Sequence, residues 1–138
     1  MSEERGKVLK TTLQKHSYSA SGWKRFWKAY TYSWAGFKHA YQAEEAFKQE
    51  IWQVAVLLPL ALILPVSWTG KALMIGSMLI ALAVELLNTG IEAAIDRVSL
   101  DDHPLSKAAK DVGSTAVFLS LANVVVIWLG VLLDRFWP

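Results

Sequence analysis

Four polar side chains interrupt an apolar run between Ala83 and Val98, AVELLNTGIEAAIDRV: Glu85, Asn88, Glu92 and Asp96. On a helix turning 100° per residue, the last three fall at about −60°, −20° and +20° from Glu85. The four share one stripe roughly 80° wide, with Leu86, Leu87, Ile91 and Ile95 off it. A carboxylate inside a bilayer costs about 2.5 to 3.5 kcal/mol on insertion scales. Carboxylates one and two turns apart can hold a cation or move a proton. Helix glue by hydrogen bonding is the structural alternative, but Asn, Ser or Thr would supply it at lower cost. The stripe is a candidate reaction centre with metal and phosphate chemistry at its charged end. An ion or proton pathway would use the same groups.

A second constellation follows in DDHPLSKAAKDVGS, residues 101–114. Pro104 suits the first turn of a helix, on which Lys110 and Ser114 share a face. A lysine can neutralise a phosphate, and Asp111 beside it can fix the lysine or a metal shell. The plain alternative is an interfacial helix start with solvated charges. Phosphate binding by a glycine-rich loop is excluded, because Gly70-Lys71 lacks the earlier glycine of that motif. His16, His39 and His103 are too scattered for zinc, and the absence of cysteine excludes thiolate sites and disulfides.

The elements that position these groups read as membrane helices. At 54% hydrophobic residues and a mean hydropathy of +0.29, the 138-residue chain is too apolar for an ordinary soluble domain. Spans are expected at about 51–68, 72–95 and 112–136, each near the twenty residues that cross a hydrocarbon core. Pro59 and Pro65 fall in or near the end of the first, and Ser67 to Lys71 makes the turn into the second. Before them, Trp23, Phe26, Trp27, Tyr30, Trp34, Phe37 and Tyr41 recur at helical spacing, among Lys24, Arg25, Lys28 and Lys38. Such an amphipathic helix suits the membrane interface, so 23–50 is read as an interfacial region. Gly36 is a candidate break within it. QAEEAFKQE, residues 42–50, reads as an acidic helix start. Residues 1–22 are polar and read as a mobile tail, with Ser19 or Ser21 as a helix cap. The fold class is all-α: one surface helix and three transmembrane helices.

Nine of the fourteen Lys and Arg precede residue 51, and three more lie in the loop 97–111. The positive-inside rule therefore puts the N-terminus and that loop in the cytoplasm. Glu92, Asp96, Lys110 and Asp111 then gather at the cytoplasmic end, with Glu85 deeper. The first fifty residues hold no apolar stretch of signal-peptide type. Nucleic-acid binding is not expected, since the basic residues precede membrane spans and no recognition motif accompanies them.

The run ELLNTGIEAAIDR, followed by LSKAAKDVGSTAV, resembles the prokaryotic diacylglycerol kinase family, small three-span membrane proteins. EEAFKQE and RFWKAYTYSWAGFKHA resemble its surface-helix region, and the likeness covers about 25–136. The resemblance implies a homotrimer in the cytoplasmic (inner) membrane that phosphorylates the hydroxyl of diacylglycerol with ATP and Mg2+. It makes Glu85 the general base and Glu44 and Glu92 the magnesium ligands, with Glu45 the alternative in the doublet. It assigns nucleotide contacts to Arg25, Tyr32, Asn88, Asp101, Asp102, His103, Lys110 and Asp111, together with Glu44 and Glu92. It lines the lipid path with Arg25, Ser33, Ala46, Phe47, Lys48, Gln49, Glu50, Glu85, Ser114 and Trp128. Asp96 is given no catalytic role; anchoring Arg97 or Lys110 is what its position suggests. Relatives that phosphorylate undecaprenol provide a second substrate reading, although the aromatic surface helix and EEAFKQE look closer to the diacylglycerol branch. Beyond kinases, a small ion- or proton-conducting assembly and a structural membrane adaptor are the competing classes.

Overall fold

The computed structural model describes residues 22–137. The expected tail and its Ser19 or Ser21 cap therefore lie outside the described residues, Gly22 excepted. The described chain forms four helices, α1 (Gly22–Ala43), α2 (Glu45–Ile63), α3 (Trp68–Val98) and α4 (Pro104–Phe136), and no strand. The last three are long and apolar enough to cross a membrane. The all-α reading with one preceding helix and three spans holds.

Two compact units divide after Gly36. In the first, Trp23 stacks on Phe26 with centroids 6.0 Å apart, and Trp27 meets Tyr30 edge-on at 6.0 Å. All four rings are exposed. The helix is continuous through Gly36; the break falls instead at Glu44. Its backbone is extended (φ −112°, ψ 119°), its N–H closes α1 on Ala40 O, and its carbonyl accepts the Lys48 N–H of α2. One residue thus ends one helix and occupies the cap position of the next, so AFKQE is continuous with the helix of the first apolar run.

The spans differ from expectation at both ends. α2 starts and stops earlier than 51–68, because Pro65 forces Leu64 out of helical geometry (ψ 139°). Ser67 then caps α3 by accepting the Gly70 N–H at 3.0 Å, one residue before the helix begins. α3 and α4 are longer than 72–95 and 112–136. Their 31 and 33 residues reach about 46 and about 50 Å, against a hydrocarbon core of about 30 Å. The overhang lies at the charged end. Twenty residues counted from Trp68 reach about Leu87, so a hydrocarbon core entered at Trp68 would end between Glu85 and Glu92. His103 and Pro104 start α4, with His103 Nδ1 accepting the Leu105 N–H at 3.2 Å.

Central α3 packs against both α2 and α4. Their shared core is Ala61, Met74, Met78 and Trp128, flanked by Val54, Leu57, Val124 and Val131. In lipid, helices gain little by hiding apolar surface from tails that are equally apolar, so close packing over small residues holds them. Gly70 is such a contact: a Cβ there would come within 2.9 Å of Val131 Cγ1. Val131 is β-branched and stiff. Gly70→Ala is expected to cost about 1–3 kcal/mol, read from unfolding of the protein in detergent micelles. An unchanged midpoint would mean that Val131 yields freely.

Candidate functional site

The polar stripe runs from a buried Glu85 through half-buried Asn88 and Glu92 to an exposed Asp96. Glu85 is 3% exposed and Thr89 7%. Glu50, from the start of α2, is equally enclosed, and its Oε2 has no hydrogen-bond partner. Glu85 lies within electrostatic reach of Glu44, Glu50 and Glu92. Four carboxylates from α2, its cap and α3 therefore stand near enough for Glu85 to feel the other three. Such a gathering of like charge is costly to hold together unless a cation or protons accompany it.

Within the stripe, Asn88 Nδ2 donates to Glu92 Oε1 at 3.0 Å. That bond uses one oxygen of Glu92 and leaves the other available. Glu44, although it is the cap of α2, makes no side-chain capping hydrogen bond. Its doublet neighbour Glu45 is instead exposed and paired with Lys48 at 2.6 Å. Oxygen ligands of this kind, one or two carboxylates completed by phosphate and water, match the shell that magnesium prefers. Among the described residues no group of three or more His, Cys, Asp or Glu side chains is arranged to hold a metal by itself. Glu44 and Glu92 offer carboxylate oxygens of the kind magnesium takes together with phosphate and water, and not an all-protein cage.

Beyond the stripe, the ends of α3 and α4 and the loop between them enclose a cavity of about 720 Å3, within the range of small-molecule sites. Asp101, Asp102, His103, Lys110 and Asp111 all line it, joined by Asp96 and Lys107. Lys110 Nζ meets Asp96 Oδ1 at 2.6 Å. Asp111 pairs with Lys107 at 2.5 Å, one turn back, and not with Lys110. Ser99 and Asp101 fold the loop on itself: Ser99 Oγ donates to Asp101 Oδ2 at 3.1 Å and accepts the Asp101 N–H at 2.9 Å. Both lysines of the cavity are therefore engaged by carboxylates that an entering anion must displace or share.

The remaining expected residues are dispersed. Arg25, Tyr32 and Ser33 are exposed on the first unit, where Ser33 Oγ donates to Ala29 O at 2.9 Å. Ala46, Gln49 and Ser114 are exposed, and Lys48 is partly covered. Phe47 is fully buried, edge-on to Phe37 with centroids 5.3 Å apart. Trp128 sits in the core, its Nε1 buried without an acceptor.

Sequence reading passed over Thr89, Lys107 and Gly113. Thr89 lies at about +40° from Glu85, about 20° beyond the Asp96 edge of the stripe, and its hydroxyl is buried without a partner. Helical geometry could have included it. Lys107 pairs with Asp111 one turn on, a spacing visible in the sequence. Gly113 carries no polar signal at all, and only the packing of α3 on α4 reveals it.

Three helices long and apolar enough to cross a membrane, an enclosed carboxylate on the second of them and a charged cavity at their end are the features of a polytopic membrane protein. The chain belongs to the prokaryotic diacylglycerol kinase family, whose profile matches residues 31–132. It is 51% identical over 113 residues to a diacylglycerol kinase of Pseudomonas aeruginosa, covering 82% of this chain and 92% of the relative. Identity is 37% over 115 residues with that of Haemophilus influenzae, covering 83% and 98%. It is also 37% over 118 residues with that of Escherichia coli K12, covering 86% and 97%.

Proposed function

We propose that the chain transfers the γ-phosphoryl group of ATP to the free hydroxyl of diacylglycerol, giving phosphatidic acid at the cytoplasmic face of the inner membrane. The hydroxyl oxygen attacks the γ-phosphorus, the bond to the bridging oxygen breaks, ADP leaves, and the hydroxyl proton goes to Glu85. Glu44 and Glu92 would hold Mg2+, which neutralises phosphate charge when bound. Asn88 keeps Glu92 turned inward. Lys110 meets phosphate, while Asp101, Asp102, His103 and Asp111 frame the nucleotide. Phosphoryl transfer needs positioning and charge neutralisation more than covalent help, which suits this set of groups. The lipid path takes Ala46 to Glu50, Ser114 and Trp128. Arg25, Tyr32 and Ser33 are added on the family likeness alone, as is the homotrimer; the interfacial role of 23–50 rests on its aromatic and basic pattern.

The carrying observation is the two-level stripe. Glu85 is enclosed at the hydrocarbon edge, where a lipid hydroxyl arrives, and Glu92 stands two turns nearer the charged cavity. A proton conductor would use the stripe but has no need of that cavity. Diacylglycerol is preferred to a polyprenol because the relatives quoted above are named for it. The test is purified protein, cross-linked to report trimer, with labelled ATP, Mg2+ and micelles containing diacylglycerol or undecaprenol. Label in phosphatidic acid is expected. Label in polyprenyl phosphate alone would replace the substrate, and no labelled lipid from folded trimer would sink the kinase.

Asp96 permits a prediction with an unexpected sign. Asp96→Asn removes a negative charge from Lys110 yet still offers an oxygen to hold it in place. Nucleotide should bind slightly more tightly, since an exposed ion pair is weak and screened by solvent. Titration with a fluorescent ATP analogue reads the change. A clear weakening would make Asp96 a ligand in its own right.

A further inference from the structure

The carboxamide of Asn88 is held between two unlike partners. Its nitrogen donates to Glu92. Its oxygen is buried with no N–H or O–H donor, and points at the backbone of Gly113 on α4. A Cβ built on Gly113 would overlap Asn88 Oδ1 outright and come within 3.3 Å of Asn88 Cγ. The glycine hydrogen that replaces this Cβ is therefore directed at the oxygen, the geometry of a weak Cα–H···O contact. Turning the amide over would set its oxygen against the Glu92 carboxylate and its N–H groups against Gly113, losing both interactions. Here an amide orientation follows from its neighbours.

We infer that Gly113 is a positioning residue: by leaving room for the Asn88 oxygen it fixes the amide, and through it the Glu92 carboxylate, for the metal-nucleotide complex. This rests on the kinase assignment for Glu92. Backbone freedom is not the reason for glycine here, because Gly113 is mid-helix with no positive φ. The reason is volume. Any Cβ drives Asn88 away, breaks its bond to Glu92 and frees that carboxylate to turn.

Removing a supporting partner of a metal ligand typically lowers metal affinity about 10–100-fold. The experiment is a double-mutant cycle with Gly113→Ala, Asn88→Ala and the pair. It is read by Mg2+-dependent binding of a fluorescent ATP analogue without turnover, and by thermal unfolding without metal or nucleotide. Gly113→Ala should weaken Mg2+-dependent binding at least about tenfold. In the Asn88→Ala background, where the methyl enters vacated space, it should add almost nothing in either readout. Wild-type binding by Gly113→Ala, or an equal loss in both backgrounds, would overturn the inference. If Gly113→Ala alone does not fold, recovery of folded protein in the pair supports the contact and failure of both overturns it. Absence of Mg2+-dependent binding in the wild type would instead count against the kinase assignment, and the unfolding cycle would still report whether Gly113 and Asn88 touch.

Discussion

Glu85→Gln is expected to lower phosphate transfer to lipid by about 10²–10⁴, the range that a positioned general base contributes, while leaving Mg2+-dependent nucleotide binding near wild type. The amide has the volume of the acid, so the tightly enclosed site keeps its packing. What it loses is an acceptor for the hydroxyl proton. The separation of roles follows from helix geometry, since seven residues place Glu92 about 10 Å further along the axis. Glu85→Asp is a sharper variant, because it keeps the acid but withdraws it by one methylene. Misplacement of about 1 Å can cost about 10²-fold, so this variant should also be slow. Transfer by Glu85→Gln near the wild-type rate would remove Glu85 from the reaction.

Glu92→Gln has its largest effect one step earlier, on binding. The amide oxygen of the variant side chain can still accept from Asn88, so the local hydrogen bond survives. The charge that we propose meets the metal does not. Mg2+-dependent binding of an ATP analogue should fall on the order of a hundredfold, the upper end of what even supporting partners reach. Glu44→Gln should behave alike, and Glu45→Gln should stay close to wild type, because Glu45 is exposed and tied to Lys48. Titrating Mg2+ at fixed analogue measures all three. Loss in Glu45→Gln with retention in Glu44→Gln would reverse the roles within the doublet.

Much of this protein is written in one dimension. Periodicity placed Glu85, Asn88, Glu92 and Asp96 on one stripe, and a helix of unbroken 3.6-residue repeat must do so whatever surrounds it. Apolar length predicted three spans, because a hydrocarbon core imposes that length. Boundaries were less legible. Glu44 looked like one residue of a surface segment, yet it breaks the chain between α1 and α2, and helix ends depend on which backbone groups find partners. The charged extensions of α3 and α4 were hidden because apolarity stops at the membrane while the helices continue beyond it.

Contacts between helices were barely legible: Lys110 was one of two partners expected for Asp96 and is the one it meets. Asp111 stood beside Lys110 in the sequence but pairs with Lys107, and Lys110 reaches across to Asp96. Adjacent residues on a helix point about 100° apart, so neighbours in sequence are poor partners in space. Glu50 gained its place near Glu85 only when α2 packed on α3. Gly113 mattered only when α4 approached the amide of Asn88 too closely for any side chain. The sequence alone determined which groups share the stripe around Glu85, because that is a property of a single helix. Tertiary structure decided what each of them faces, because a partner on another helix is chosen by packing and leaves no periodic signal.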